Sequence, residues 1–333
     1  MMLWNQKLKH DANTPLLQST NPAIPYFLKK DILHEKVPSL NTIWDLPTVQ
    51  NQFRKQQKDG SWLFQGQKRP LYPPHHYPLV ETWKQLRSLI QHYQLTKENK
   101  QTKQGCEYLL SCQTNEGDIR GMIGNQYATY YTGAMIGILI KAGYQNDPRI
   151  TKGLDWLLTM RQDDGGWTIP IITHTFDRET QYKLTSTKID PVQPVKSKPF
   201  SHNWTDMVLR GFAEHPTYRK KPEVVHAAKL LKKRFFQRDA YSSYKSSRYW
   251  TTFSFWWTNI LTSLESLQLI GIGDNDSDIQ KGLNWFIENQ QPNGLWELSH
   301  PAPKKISNKK LYLTRQEWLA LRILRLLEKY SKK

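Results

Sequence analysis

The 333-residue sequence predicts an all-α protein assembled from about five helical hairpins. Three observations predict it: a long internal repeat, weaker copies of the same unit, and a second family of apolar helical runs that alternates with them.

The repeat is plainest between "DPRITKGLDWLLTMRQDDGGW" from Asp147 and "DSDIQKGLNWFIENQQPNGLW" from Asp276, which align without a gap at an offset of 129 residues. Lys152, Gly153 and Leu154 meet Lys281, Gly282 and Leu283. Trp156 meets Trp285, Gln162 meets Gln291, Gly165 meets Gly294, and Trp167 meets Trp296. "GCEYLLSCQTNEGDI" from Gly105 overlays the same pattern, and "QQKDGSW" ending at Trp62 matches "RQDDGGW". A degenerate unit, "KPEVVHAAKLLKKRFFQ" from Lys221, keeps the helix and loses the glycine-tryptophan ending.

These copies decide how the adjacent acids Asp163 and Asp164 are read. Their positions are filled elsewhere by Asn115 and Glu116, by Lys58 and Asp59, and by Pro292 and Asn293. Acid–base chemistry needs its carboxylates kept, and here they are scrambled from loop to loop. The pair is expected at an exposed turn, with glycine supplying unusual backbone angles and tryptophan packing behind it.

Between the copies, "YTG" (131–133), "WTD" (204–206), "WTN" (257–259) and "LTR" (313–315) each open an apolar helical run. Thr314 with Glu317 reads as a capping box, so Thr132, Thr205, Thr258 and Thr314 are expected as N-caps. The first helix of this family lies in "HHYPLVETWKQLRSLIQ" from His75. The chain thus alternates a buried helix, a surface helix and a Gly-Trp turn. Such hairpins close into a solenoid or a ring, and periodicity alone does not choose.

The repeat domain spans residues 41–330. Residues 1–40 precede it as an extension with one short amphipathic helix within Asn21 to Leu33. Residues 168–201 form a basic, Pro- and Thr-rich insertion without helical period, expected as a lid or mobile flap.

Forty-seven Lys and Arg against 29 Asp and Glu leave a charge of +18, which favours anionic partners. Only 38% of residues are apolar, yet there are 13 Trp, 16 Tyr and 11 Phe. No apolar run approaches the ~20 residues of a membrane span, and the N-terminal stretch lacks the apolar core of a secretory signal. Cys106 and Cys112 fall on roughly opposite faces of one helix, so a reducing, cytoplasmic setting is expected, with peripheral membrane contact as an open addition. Zinc-finger, P-loop and dinucleotide fingerprints are missing; no cofactor or metal site is expected, and nucleic acid is not expected as a partner.

The turns "QDDGGW" and "QQPNGLW", joining two kinds of helix, resemble the QW repeats of squalene-hopene cyclases and related triterpene cyclases. Protein prenyltransferase β subunits share that fold. The resemblance covers roughly residues 41–330 and implies an α/α-toroid: a ring of helix pairs whose inner helices line a central cavity. The family's catalytic signatures do not carry over. The D-x-D-D motif that protonates the polyene has no counterpart, "DNDSD" (274–278) being the nearest run, and no Asp, Cys and His set matches the prenyltransferase zinc site.

In such a ring the first turns of the inner helices converge at the cavity mouth. That places His76, Tyr127, Tyr131, His202, Trp204, Asp206, Arg248, Tyr249, Trp250, Trp256, Trp257, Asn259 and Arg315 at one end. Asp206 and His202 are the candidate catalytic groups and the others candidate ligand contacts. Aromatic walls can stabilise a carbocation by about 0.5–2 kcal/mol per ring, and an acid in an apolar pocket can protonate an alkene. A small apolar or amphiphilic ligand of isoprenoid type is the first expectation. Two alternatives stay open: a polysaccharide lyase or glycosidase-like toroid acting on an acidic glycan, and a non-catalytic binding scaffold.

Overall fold

The computed structural model describes residues 3–241, 246–253, 256–299 and 305–331. The described residues are all-helical, with no strand among them, as the repeat pattern predicts. The chain divides into two compact units, one formed by Trp44–Leu231 and Arg238–Lys245, the other by Met1–Ile43, Lys232–Gln237 and Ser246–Lys333. Numbered in chain order, the helices of seven residues or more are α1 (Ala23–Asp31), α2 (Pro47–Phe53), α3 (His76–Tyr93), α4 (Lys100–Ser111), α5 (Thr129–Leu139) and α6 (Pro148–Thr159). They continue with α7 (Arg178–Ser186), α8 (His202–Glu214), α9 (Pro222–Lys232), α10 (Ile260–Ile270), α11 (Ser277–Glu288) and α12 (Ile306–Ser331).

In the larger unit, the core helices α3, α5 and α8 alternate with the flanking helices α4, α6 and α9. Every residue of α5 except Tyr131 is buried, which is what an apolar helix without a polar face requires. It crosses α8 where both backbones are bare. A Cβ on Gly133 would lie 2.5 Å from Val208 Cα, and one on Gly211 would lie 2.7 Å from the Gly133 carbonyl. The flanking helices bury one face only, and side-chain caps start two of them: Asn99 accepts from Thr102 N–H, and Asp147 from Arg149 N–H.

The turns repeat down to single hydrogen bonds. Gln57, Thr114, Gln162 and Gln291 donate their backbone N–H to the carbonyls of Ser61, Asp118, Gly166 and Leu295 at 2.7–2.9 Å. The glycines that close these hairpins, Gly60, Gly117, Gly165 and Gly294, have φ between +80° and +115°, which a Cβ disfavours. Alignment by sequence pairs Gln162 with Gln291, but a different position stitches the turn. Gln56, Gln113 and Gln290 donate Nε2–H to the turn carbonyls of Gly60, Gly117 and Gly294. In the third copy Arg161 does this through Nε.

Gly60, Gly117 and Gly165 also press on the next flanking helix. A Cβ on Gly117 would lie 2.7 Å from the Lys152 carbonyl. Gly117→Ala is therefore expected to cost about 2–4 kcal/mol, from positive-φ strain plus displacement of α6. An unchanged urea midpoint would show that the turn yields freely.

The threonine caps expected from sequence are not caps. Ser201 caps α8 and Asn259 caps α10, while Ala128 precedes α5 with no side-chain cap. Helix α12 begins at Ile306, so Thr314 lies inside it and donates to the Lys310 carbonyl. The recurring threonine has another task. Thr82, Thr132 and Thr205 accept the backbone N–H of Trp62, Ile119 and Trp167 at 2.8–3.1 Å, tying each core helix to the turn before it.

The degenerate unit also needs correction, because it keeps its tryptophan. Trp62, Trp167 and Trp296 donate their indole N–H to the carbonyls of Gln52, Leu157 and Phe286, ten residues earlier. Trp250 makes the same bond to Gln237, thirteen residues earlier, and is 1% exposed.

The insertion at 168–201 contains helix α7 and is fastened along its length. Asn125 and Gln126 bond the carbonyls of Ile189 and Asp190; Val192 N–H returns a bond to Gln126, and Gln162 Nε2 reaches the carbonyls of Val195 and Lys198. A flap held by this many amide contacts is a strap across the turns. The sequence hides it because its partners are single amides far away in the chain.

In the smaller unit, residues 1–43 carry short helical segments at Trp4–Lys7 and Asn13–Leu17 besides α1. The N-terminal segment does the work of a flanking helix for the last turn. A Cβ on Gly294 would lie 1.9 Å from the Asp11 carbonyl, and Gln290 Nε2 donates to the His10 carbonyl.

Candidate functional site

The N-terminal ends of α5 and α8 bring several of the expected residues together in the larger unit. Ser201 caps α8 by accepting from Trp204 N–H. The adjacent Asp239 carboxylate completes the cap: its Oδ2 accepts from Ser201 Oγ at 2.7 Å, Asn203 N at 3.0 Å and Asn203 Nδ2 at 2.9 Å. A helix N-terminus stabilises a buried anion, which accounts for a carboxylate only 6% exposed. His202, also buried, places Nε2 3.7 Å from Asp239. One turn on, the fully buried Asp206 accepts from Arg210 through Nη2 at 2.6 Å and Nε at 3.1 Å. Its carboxylate is engaged as an ion-pair acceptor from the residue four positions later.

Aromatic rings gather at the same helix ends. Tyr130 lies 4.6 Å from Trp204 and 4.4 Å from Tyr131, centroid to centroid. Tyr127 is set apart. Its hydroxyl donates to Glu116 at 2.6 Å and accepts from Gln193 at 3.1 Å, and Arg120 lies 4.9 Å over its ring. Burial and the Glu116 charge push the phenol up to about 12. His76, at the start of α3, donates Nδ1–H to the Gly121 carbonyl at 2.7 Å, and burial holds its imidazole below the usual histidine range.

In the smaller unit, Trp256 and Trp257 stack at 4.9 Å with 19° between their planes. Asn259 forms a capping box with Thr262. Trp250 is fixed in the packing described above. Arg248 and Arg315 are exposed, and Tyr249 is half-buried. The carboxyl of Glu317 is buried against Ser19 Oγ at 2.7 Å, and desolvation pushes it above its ordinary value.

Asp239 and Arg210 are additions that the sequence reading missed. Arg210 stands four residues after Asp206 and could have been found as a helical ion pair. Asp239 carried no signal, because it follows the degenerate repeat in a stretch without period.

Asp163 and Asp164 are exposed, and Asp164 accepts from Gly166 and Phe200 N–H, as a turn element does. In "DNDSD", Asp274 accepts from the Trp4 indole, while Asp276 and Asp278 pair with Lys232 at 2.9 and 2.8 Å. Cys106 is buried on α4 and Cys112 sits half-buried at its end. Among the described residues no group of three His, Cys, Asp or Glu is placed to hold a metal ion, and no helix is long and apolar enough to cross a membrane.

Part of the chain is similar to known proteins. Residues 75–190 match the family model of the squalene-hopene cyclase C-terminal domain. A probable squalene–hopene cyclase of Sinorhizobium fredii is 32% identical over 100 residues. That stretch is 30% of this chain and 15% of the relative's length. Among solved structures, a protein from Actinoplanes is similar with a TM-score of 0.44 and 13% identity, covering 88% of each chain. A type II terpene cyclase from Scytonema, in complex with geranylgeranyl dihydroxybenzoate, is similar with a TM-score of 0.43 and 13% identity over 96% of this chain and 99% of that one.

Proposed function

We propose that this chain, a terpenoid-cyclase-like α/α-toroid protein, binds an elongated isoprenoid-type ligand at the N-terminal ends of α5 and α8. The observation that carries the reading is the ring group Tyr131, Tyr130 and Trp204 at the N-terminal ends of α5 and α8, with α5 inside the family-matched segment. Aromatic faces suit a branched, unsaturated chain, whose methyl groups and double bonds gain dispersion and cation–π contacts there. Tyr131, the one residue of α5 that is not buried, offers the accessible face, and His202 supplies a polar end. Asp206 is assigned the holding of Arg210 rather than proton donation, because the carboxylate accepts both guanidinium bonds. The family match gives no support to the acidic-glycan alternative.

Titration of tryptophan fluorescence with geranylgeraniol tests this. Saturable quenching is expected, weakened about tenfold in Tyr131→Ala and unchanged in Tyr182→Ala, whose ring is 66% exposed on the strap. Binding of an acidic oligosaccharide in place of the isoprenoid would sink the reading. A cyclised product that disappears in Asp206→Asn would keep the ligand class and reverse the role given to Asp206.

A further inference from the structure

Four flanking helices share a register position, and at three of them it is occupied by a turn from the preceding repeat. Gly60 presses on Gln104 of α4, Gly117 on Lys152 of α6, and Gly165 on His226 of α9. A Cβ on these glycines would fall 2.2, 2.7 and 2.4 Å from those residues. Lys281 of α11 holds the same position, since Lys152 meets Lys281 in the repeat. The unit ahead of α11 is the degenerate one, which has no glycine turn to put there. At that place lies a pocket of about 520 Å³, walled by Phe236 and by a stripe of α11 from Ser277 through Lys281, Asn284 and Trp285 to Glu288.

On α6 the tryptophan of the equivalent stripe is buried, while Lys152 and Asp155 are exposed. Asp155, the counterpart of Asn284, accepts from the Tyr218 hydroxyl at 2.6 Å. Trp156, the counterpart of Trp285, packs on Tyr127 at 5.5 Å. On α11, Lys281 and Asn284 are exposed in the same way, but Trp285, packed on Phe253 at 5.6 Å, is only half-buried, and the Lys281 ammonium rests 5.4 Å from the Phe236 ring centre.

We propose that this pocket receives a glycine-bearing turn of a partner polypeptide, the main-chain element that fills the equivalent place on α4, α6 and α9. A second copy of this chain is not the source. All four of its own glycine turns are already seated, on Gln104, Lys152, His226 and Asp11. The chemistry of the turn follows from its siblings. An acid stands before the glycine in three of them, as Asp59, Glu116 and Asp164, and Lys281 offers the matching charge. The amides of Gln280 and Asn284 can bond main-chain groups in both senses. This inference is independent of the isoprenoid site, which belongs to the other unit.

The probe is a fluorescein-labelled peptide, RQDDGGW, copied from residues 161–167, added to the full-length protein and followed by anisotropy. Saturable binding with Kd under about 1 mM is expected, at least about tenfold weaker when the peptide's first glycine, the counterpart of Gly165, is replaced by valine. Asn284→Trp, which fills the pocket, and Lys281→Glu, which inverts its charge, should each weaken it about tenfold without changing Tm, because both positions are exposed. Geranylgeraniol should not displace the peptide. Absence of saturable binding, or equal binding of the valine peptide, overturns the proposal. So does binding that survives both protein variants. Saturable binding of maltotriose without the peptide would assign the pocket to carbohydrate and overturn it as well.

Discussion

Gly133→Val is expected to destabilise the protein by about 4 kcal/mol or more, a large part of the ~5–15 kcal/mol that holds a domain together. The reason is geometric. The new Cβ would fall 2.5 Å from Val208 Cα and 3.0 Å from the Met207 carbonyl, so it meets backbone on the partner helix. A flexible side chain can turn aside; a helix backbone must translate as a whole. The damage then spreads to Gly137 and Gly211, which depend on the same approach of α5 to α8. Gly133→Ala should lie between, near 2 kcal/mol. Gly271→Ala is the matched control: nothing lies within 4 Å of its Cβ, and only its positive φ is penalised, at about 1–2 kcal/mol. Urea unfolding read by circular dichroism separates the three. A valine variant no worse than the control would mean that α5 and α8 do not touch as described.

Sequence periodicity reveals parts of this architecture and hides others for physical reasons. The helix pairs and their turns were legible because a surface helix must alternate apolar and polar faces, and because glycine is needed wherever φ is positive. Asp163 and Asp164 could be placed at a turn by the same logic. The threonines misled because a residue at the head of an apolar run looks like a cap. In α8 the helix has already begun at His202, three residues before Thr205, and its first turn is polar. The glutamine that stitches the turn leaves no mark of its own, since Gln290 and Gln291 are chemically identical and only geometry separates them. Asp239 was invisible: a single carboxylate capping a distant helix leaves no trace in any period. Of the residues gathered at the ends of α5 and α8, Tyr131, His202, Trp204 and Asp206 are named from the sequence, whereas the ionic partners Arg210 and Asp239 are not.

Trp250→Ala is expected to cost about 3–5 kcal/mol, the range for deleting a buried indole, and to match Trp167→Ala within about 1 kcal/mol. By sequence the degenerate repeat has no tryptophan ending, and Trp250 reads as a ligand contact. By structure it is 1% exposed, packs edge-on to Phe235 at 5.3 Å, and donates its indole N–H to the Gln237 carbonyl. Trp167 has the same environment: 0% exposed, stacked on Phe212 at 5.4 Å, and bonded to the Leu157 carbonyl. The two indoles close two copies of one unit, although the second reaches its carbonyl across a longer loop. Trp250→Phe should retain most of the packing and lose the N–H bond, about 1 kcal/mol. A ligand-contact role predicts the reverse pattern: little change in the urea midpoint of Trp250→Ala, and a loss of geranylgeraniol binding that Trp250→Phe restores. Stability and binding measured on the same two variants therefore decide whether Trp250 closes a fifth repeat or lines a site.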